Sequence, residues 1–223
     1  MEYRHEIKHA ISPGDAVSIK TNLKAVASLD PHADKDGTYR IHSLYFDDLN
    51  NTALWEKLDG VNERRKFRIR YYNENLGFIK LECKMKRDNV GCKLSETLTE
   101  EETRRIIAGD IGWMATCGRP LLTVLYVEMK TKGLRPKCVV EYMRMPFVYA
   151  PGNVRVTIDW NIRTGPPAQF LDPHGLTLPV DGNPMLLEVK WDEYLPTIIR
   201  RAAALKSRGP MAFSKYAACR MYG

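Results

Sequence analysis

Residues 188–194 read Glu-Val-Lys-Trp-Asp-Glu-Tyr, and Glu188-Val189-Lys190 within them repeats a spacing that occurs twice more in the chain. The other copies are Glu6-Ile7-Lys8 and Glu82-Cys83-Lys84, each in a run that alternates apolar with polar residues. Such alternation is typical of a strand with one buried face. Each copy therefore places a carboxylate beside an ammonium group on one face. Three such strands on one curved sheet would offer metal ligands and anion ligands together.

The run from 64 to 72 extends this pattern with cations alone, because Lys66, Arg68 and Arg70 alternate with aromatic and aliphatic residues. We predict further strands over 3–10, 39–48, 78–86, 90–98, 137–149, 154–162 and 185–191, with a turn at Asp88-Asn89 inside a hairpin. Together the polar faces of these strands carry Arg4, Glu6, Lys8, Lys66, Arg68, Arg70, Lys80, Glu82, Lys84, Lys93, Tyr142, Arg144, Arg155, Asp159, Glu188 and Lys190.

Helices are predicted between these strands, where they would cover the apolar faces. Ser12-Pro13 combines an N-cap with proline at the first helical position, and Val17, Leu23 and Val26 would give that helix its apolar side. Thr99 and Glu102 form the pattern of a capping box. Further helices are expected over 52–58, 120–132, 195–206 and 213–222, and a proline-rich connection over 164–184. No linker divides the chain, so residues 1–223 are predicted to form a single domain.

The charge balance of the chain favours an anionic partner. The 223 residues include 34 Lys and Arg against 27 Asp and Glu, a net charge of +7. Cations also outnumber acids on the polar strand faces, and crowded cations that are partly desolvated need compensation. A chain of phosphates would supply it, since Arg binds phosphate oxygens in a bidentate manner. The carboxylates would repel phosphates unless a hard divalent cation such as Mg²⁺ or Mn²⁺ bridges the two.

The ordered set of strand motifs resembles the VTC domain, the polyphosphate polymerase branch of the triphosphate tunnel metalloenzyme, or CYTH-like, superfamily. The matching pieces are Arg4-His5-Glu6-Ile7-Lys8, Ser43-Leu44-Tyr45-Phe46-Asp47, Lys66-Phe67-Arg68-Ile69-Arg70-Tyr71, Leu81-Glu82-Cys83-Lys84, Val140-Glu141-Tyr142-Met143-Arg144, Arg155-Val156-Thr157-Ile158-Asp159, Leu187-Glu188-Val189-Lys190 and Ser214-Lys215-Tyr216. The resemblance implies an α+β fold in which eight antiparallel strands close into a tunnel, with helices packed outside.

The same resemblance implies roles for individual residues. The principal metal ligand would be Glu188, with Glu6 and Glu82 as helpers, and the metal would be Mn²⁺ or Mg²⁺. Phosphates would be held by Arg68, Arg70, Lys84, Lys93, Arg144, Arg155 and Lys215, supported by Tyr142 and Ser214, while Lys8, Lys66 and Lys190 would be further cations of the phosphate-facing wall. The residues that would carry catalysis are Arg68, Arg70, Lys84, Arg144, Arg155 and Glu188.

The activity implied is transfer of the terminal phosphate of ATP to a growing polyphosphate chain. Two alternatives stay open: a tripolyphosphatase or nucleoside triphosphatase of the same fold, and a non-catalytic module that binds polyphosphate or a nucleotide and acts with a protein partner. Hydrolases of the superfamily open with Glu-x-Glu-x-Lys, whereas the corresponding positions here are Arg4, Glu6 and Lys8. This exchange of an acid for Arg would remove a metal ligand and add a phosphate contact, which favours the polymerase.

Other classes of function are less compatible with the sequence. The apolar residues of 64–72 alternate away from the arginines, whereas sheets that bind RNA present aromatic side chains beside their cations, so no nucleic acid is expected. His5, His9 and His42 lack zinc-ligand spacing. Asp47-Asp48 is interpreted as a helix cap and Asp159 as the partner of an arginine. Five cysteines without a CxxC pair, no signal sequence and no transmembrane segment predict a cytoplasmic protein. Compared with the membrane-bound members of the family it resembles, the chain looks like the stand-alone, bacterial-type form.

Overall fold

A computed structural model describes residues 4–87, 90–205 and 209–221. Ten strands belong to one sheet. They are β1 (His5–Ile11), β2 (Ser28–Leu29), β3 (Tyr39–Asp47), β4 (Arg64–Tyr72), β5 (Asn75–Arg87), β6 (Val90–Leu98), β7 (Arg135–Tyr149), β8 (Val154–Gly165), β9 (Leu178–Pro179) and β10 (Met185–Trp191). The six helices are α1 (Pro13–Lys24), α2 (Thr52–Leu58), α3 (Glu100–Ala108), α4 (Pro120–Thr131), α5 (Thr197–Ala202) and α6 (Lys215–Met221).

Eight of the strands lie in the order β1-β10-β8-β7-β3-β4-β5-β6, and the two-residue strands β2 and β9 pair with β7 and β8. The predicted count of eight is therefore corrected to ten, because two short edge pairings add to the main path. No hydrogen-bonded pairing joins β1 to β6 in the described part of the chain, so closure into a tunnel stays a prediction. The predicted turn at Asp88-Asn89 lies outside the described residues.

The chain divides into two compact units. The first unit comprises 1–40, 142–162 and 181–213, and the second unit comprises 41–141, 163–180 and 214–223. The prediction of a single tunnel domain stays a prediction. None of the helices in the described ranges has the length and apolarity needed to traverse a bilayer.

The core of the first unit lies between the sheet and helices α1 and α5. Ser12 caps α1: its hydroxyl accepts from the Asp15 amide at 3.2 Å, and the Asp15 carboxylate accepts from the Ser12 amide at 2.9 Å. The helix buries Ala16, Ile19 and Leu23. The prediction that Val17 faces the core is wrong, because Val17 lies about 200° around the helix from Ile19 and is 66% exposed.

The core of the second unit joins the apolar faces of β4 and β5 to α3 and α4. Phe67, Ile69 and Tyr71 are all buried there, as the alternation in the sequence requires. The predicted capping box of α3 is confirmed, since Thr99 accepts from the Glu102 amide and Glu102 accepts from the Thr99 amide.

Helix α5 is shorter than predicted, with Thr197–Ala202 observed in place of 195–206. Pro196 explains the later start, because proline disfavours helical geometry in the residue before it. Asp47 has the predicted capping role: its carboxylate accepts from the amides of Ala53 and Leu54 in α2.

Candidate functional site

The second unit gathers most of the predicted phosphate-binding residues on one face of β4, β5 and β6. The strand register places Lys66 opposite Lys84, and Lys84 opposite Lys93. Residues that pair directly across antiparallel strands share a face, with Cβ atoms about 5 Å apart. Three lysines thus form one row across the sheet. This arrangement is unfavourable without an anion, because like charges directly opposite one another repel.

Two more rows run parallel to the lysine row. Arg68 pairs with Glu82 in the first of them, and Arg70 pairs with Lys80 in the second. We call these rows the cation face, and its members are Lys66, Arg68, Arg70, Lys80, Glu82, Lys84 and Lys93. Six cations therefore surround one carboxylate.

Glu82 is the counter-charge of this face. Its Oε2 accepts from Arg68 Nε at 2.6 Å, and its Oε1 accepts from Lys93 Nζ at 3.1 Å. Burial raises the pKa of the Glu82 carboxyl, but Arg68, Arg70 and Lys93 outweigh burial and hold the pKa at about 2. Both oxygens are thus engaged with cations, so Glu82 compensates charge on this face, and its part as a helper metal ligand stays a prediction.

Arg70 is buried, with 7% of its surface exposed. Its Nε donates to the Ser43 hydroxyl at 3.1 Å, and its guanidinium lies 6.0 Å from the centre of the Tyr72 ring. Among the described residues, no carboxylate lies within ion-pair distance of Arg70. A buried guanidinium without a paired acid is costly, and a bound anion would relieve that cost.

Lys66 lies in the lysine row and has an aromatic contact. Its ammonium lies over the Tyr216 ring, 5.6 Å from the centroid. Burial, Arg64 and Lys57 together lower the pKa of Lys66 to about 8, against the opposing effect of Asp47 and Glu56. Tyr216 is held in place by its hydroxyl, which donates to Asp47 at 2.5 Å. Lys66 is thus a half-buried amine in a row of lysines, where a negative ligand would favour its protonated form.

The predicted residues of the C-terminal segment lie in and before α6. Lys215 is the first residue of α6. Burial raises the pKa of the Tyr45 hydroxyl, but the charges of Arg68 and Arg70, with a smaller contribution from Lys215, outweigh burial and lower it. The hydroxyl of Ser214 accepts from the Ala217 amide at 3.3 Å and so caps this helix. Ser214 therefore has a structural contact in addition to its predicted contact with phosphate.

The first unit arranges its charges differently. Glu6 pairs with Lys190 across β1 and β10, and Lys8 pairs with Glu188. Lys8 Nζ lies 2.5 Å from Glu6 and 3.5 Å from Glu188, while Lys190 Nζ lies 3.3 Å from Glu6 and also contacts Glu188. We call these four residues the carboxylate–ammonium ring. Burial and Glu188 raise the pKa of Glu6, but Lys8 and Lys190 outweigh both and lower it.

The predicted arginines of the first unit are also paired. Arg144 makes two hydrogen bonds to Asp159, at 2.6 and 2.7 Å, and stacks on the Tyr142 ring at 5.3 Å. The predicted pairing of Asp159 is confirmed. Burial lowers the pKa of Arg144, but fully buried Asp159 outweighs burial and raises it.

Arg155 donates to Asp30 at 2.6 Å and to the Tyr39 hydroxyl at 2.7 Å. Arg4 pairs with Asp192 at 2.9 Å, and its contact with phosphate stays a prediction. Arg4, Lys8, Arg144, Arg155 and Lys190 in the first unit thus each have an acidic neighbour, whereas Arg68 and Lys93 of the second unit both pair with Glu82.

The carboxylates of Glu6 and Glu188 are the donors that fit a divalent cation best. Mg²⁺ is usually held by one or two carboxylates together with substrate phosphates and water, and these two hard oxygen donors match that requirement. Each of them now faces two ammonium groups, so a metal ion would replace lysine contacts. No cluster of three or more His, Cys, Asp or Glu side chains suited to a metal occurs among the described residues.

Sequence reasoning missed several residues that shape the two faces. Ser43 and Tyr45 contact Arg70 and Arg68, and their alternation with buried Leu44 and Phe46 was a readable signal. Asp30 had no such signal, because it lies outside the strands and 125 residues from Arg155.

The fold and these faces define an antiparallel-sheet protein with helices packed on the apolar strand faces and an excess of cations on one polar face. A model of the VTC domain family matches residues 3–222, and the chain belongs to that family. No significant match was found among curated proteins.

Two solved structures are similar to this chain at low sequence identity, and the first of them shares its fold. The first is HpAC1 from Hippeastrum, a candidate adenylyl cyclase described as having a dominant triphosphatase activity, with a TM-score of 0.52 and 15% identity over 85% of this chain and 79% of that one. The second is a candidate adenylate cyclase from Bacillus halodurans, with a TM-score of 0.48 and 11% identity over 85% and 80% of the two chains.

Proposed function

We propose that the protein is a metal-dependent polyphosphate polymerase that transfers the terminal phosphate of ATP to a growing polyphosphate chain. Membership of the VTC domain family supports this proposal, since that family is the polymerase branch named above. The observation that carries it is the cation face, where six cations surround the single carboxylate of Glu82. A chain of phosphates supplies negative charge at regular intervals, which matches regularly spaced rows of cations.

On this proposal the residues of the cation face act by binding and orienting phosphates. Glu82 and Tyr45 fix the guanidinium of Arg68 through its Nε and Nη1. Arg70 is fixed through its Nε by Ser43, which leaves its terminal nitrogens for phosphate oxygens. Guanidinium groups held in this way stabilise charge that develops during phosphoryl transfer without reorganising.

The metal would be held by Glu188 and Glu6 in the first unit. A divalent cation held there would neutralise charge on the oxygens of a bound phosphate. Lys8 and Lys190, when released from the carboxylates, would become donors to phosphate. Positioning and electrostatic stabilisation are sufficient for phosphoryl transfer, so no nucleophilic side chain is required.

A triphosphatase is the second candidate, in which water replaces the chain end as acceptor. The fold shared with the Hippeastrum protein, which is described as a triphosphatase, favours this candidate. Both reactions require triphosphate binding on cations and differ only in the acceptor.

Product analysis separates the two candidates. The protein is incubated with ATP and Mn²⁺, and the products are separated on a gel and assayed for free phosphate. Long phosphate chains would support the polymerase, and free phosphate alone would support the triphosphatase. Tight tripolyphosphate binding without turnover would contradict both candidates and indicate a binding module.

Matched variants tie the activity to the proposed residues. We expect Arg68→Ala to weaken tripolyphosphate binding, and Glu188→Gln to abolish metal-dependent turnover while circular dichroism stays unchanged. Arg104→Ala is the control, because Arg104 lies on α3 and pairs there with exposed Glu100. Unchanged affinity in Arg68→Ala would remove the cation face from the proposal, and wild-type turnover in Glu188→Gln would remove Glu188 from the metal site.

A further inference from the structure

Thr157 carries a buried hydroxyl that the site described above does not use. The residue lies in β8 with 2% of its surface exposed, and its Oγ1 has no hydrogen-bond partner among the described residues. Leaving a buried hydroxyl unpaired is unfavourable, because the group loses its hydrogen bonds to water. Such a group therefore points to a ligand that the hydroxyl contacts when the protein is working.

The strand register shows where this hydroxyl lies. Thr157 pairs with Glu188 on β10, and Glu188 pairs with Lys8 on β1. Directly paired residues share a face with Cβ atoms about 5 Å apart. Thr157 is therefore the immediate neighbour of the carboxylate that is proposed as the principal metal ligand.

Burial separates Thr157 from the more exposed part of the carboxylate–ammonium ring. The Glu188 side chain is 8% exposed, whereas the side chains of Glu6 and Lys190 are 28% and 30% exposed. Thr157 and Glu188 thus form the buried end of the charged face. At this end the Thr157 hydroxyl and the Glu188 carboxylate are adjacent. A metal ion that binds Glu6 or Glu188 must displace a lysine ammonium group, whereas one that binds the Thr157 hydroxyl displaces none.

A hydroxyl is a suitable ligand for the proposed ion. Mg²⁺ and Mn²⁺ prefer hard oxygen donors. In P-loop nucleoside triphosphatases, the Ser or Thr hydroxyl of the phosphate-binding loop ligates Mg²⁺ beside the phosphates. A neutral donor also adds a ligand without adding negative charge that would repel the phosphates.

We propose that Thr157 Oγ1 is a third protein ligand of the divalent cation, together with Glu188 and Glu6. This inference rests on the proposed function, and it adds to that function a ligand that completes a set of three oxygen donors. It explains why a polar side chain is kept fully buried on β8 between Arg155 and Asp159, both of which already have partners.

The test measures binding of Mn²⁺ alone, from the electron paramagnetic resonance signal of the free ion, in wild type, Thr157→Val, Thr157→Ser and Glu188→Gln. Val has the shape of Thr and lacks the oxygen, whereas Ser keeps the oxygen. We expect Thr157→Val to weaken Mn²⁺ binding by roughly ten-fold or more, and Thr157→Ser to stay close to wild type.

A second measurement distinguishes ligation from packing. In metal-free buffer Thr157→Val should melt no lower than wild type, because it removes an unpaired buried hydroxyl. With Mn²⁺ present its melting temperature should rise less than that of wild type, since ligand stabilisation scales with affinity. A lower melting temperature without metal, together with an equal rise on adding Mn²⁺, would show a packing role and overturn the inference.

The remaining outcomes separate this inference from the proposed function. Loss of Mn²⁺ binding in Glu188→Gln with wild-type binding in Thr157→Val would overturn the role of Thr157 alone. Wild-type Mn²⁺ binding in both variants would place the metal elsewhere and overturn the metal role of Glu188 as well. Weaker binding of metal-free tripolyphosphate in Thr157→Val, with unchanged Mn²⁺ binding, would identify the hydroxyl as a phosphate donor and also overturn the inference.

Discussion

The charged face of the first unit and the cation face of the second unit are built from the same strand alternation, yet they balance charge in opposite ways. In the first unit Lys8 and Lys190 share Glu6 and Glu188, while Arg144 and Arg155 have Asp159 and Asp30. In the second unit the cation face has six cations and one carboxylate, that of Glu82. The first arrangement is therefore closer to neutral than the second.

On the proposed function this difference corresponds to separate tasks for the two faces. The carboxylates of the first unit would hold the metal ion, and the excess of cations in the second unit would favour phosphate. The predictions below test this contrast in order of decreasing effect.

Breaking the most buried pair of the first unit should have the largest effect on stability. Asp159→Asn leaves the Arg144 guanidinium buried without its carboxylate, and such a loss costs about 3–5 kcal/mol. Urea unfolding measures it. Asp192→Asn is the control, because its pair with Arg4 is more exposed and should cost about 0–1 kcal/mol. Equal losses in the two variants would show that the buried pair has no special weight.

Removing the acid of the cation face, Glu82, should destabilise the protein, and a bound anion should restore much of the lost stability. Glu82→Gln should cost on the order of 3 kcal/mol at neutral pH, and added tripolyphosphate should restore much of it. Glu128→Gln is the matched control: Glu128 also bridges an arginine and a lysine, Arg65 and Lys132, but on α4. Restoration of both variants to the same extent would contradict the contrast between the two faces.

The same carboxylate gives a pH dependence whose sign is fixed. The pKa of Glu82 is lowered from its ordinary value of 4.5 to about 2 in the folded protein. Its contribution to stability is therefore complete above about pH 4.5 and is lost as the pH falls towards 2. The difference in unfolding free energy between wild type and Glu82→Gln should shrink over that interval, and a constant difference would show that Glu82 is not held ionised.

Affinity for phosphate should depend more on the second unit than on the first. Arg70→Gln removes a guanidinium without a paired acid and should weaken tripolyphosphate binding by roughly ten-fold or more, as expected for a hydrogen bond to a charged group. Lys8→Gln should have a smaller effect, because Lys8 must first leave Glu6 and Glu188. Calorimetry in metal-free buffer measures both constants. A larger loss for Lys8→Gln would reverse the assignment of the two faces.

The smallest expected effect is proton uptake by Lys66. Because its pKa is lowered to about 8, Lys66 is largely neutral at pH 9, and a bound triphosphate should draw a proton onto it, approaching roughly one proton per site. Calorimetric enthalpies in buffers of different ionisation enthalpy report this uptake. Lys66→Met should remove the buffer dependence, and Lys130→Met on α4 should keep it. Buffer-independent binding by wild type would contradict the prediction.

Much of the fold could be predicted because it depends on local rules. The alternation in 64–72 and 185–191 determined which side chains share a face, and the caps at Ser12 and Thr99 determined where two helices begin. Two predictions were wrong for local reasons. Ile19, and not Val17, lies on the buried side of α1, and Pro196 makes α5 begin two residues later than predicted.

The sequence by itself determined that the chain forms charged strand faces, since the period of two in a strand separates polar from apolar residues without reference to the rest of the chain. Only the tertiary structure decided which charges are compensated. Arg155 meets Asp30 from 125 residues away, and Tyr216 meets Asp47 from 169 residues away. Alternation specifies on which face of a strand each side chain lies, but it carries no information on which strands lie beside it. Pairing between distant charges therefore depends on the strand order that folding produces.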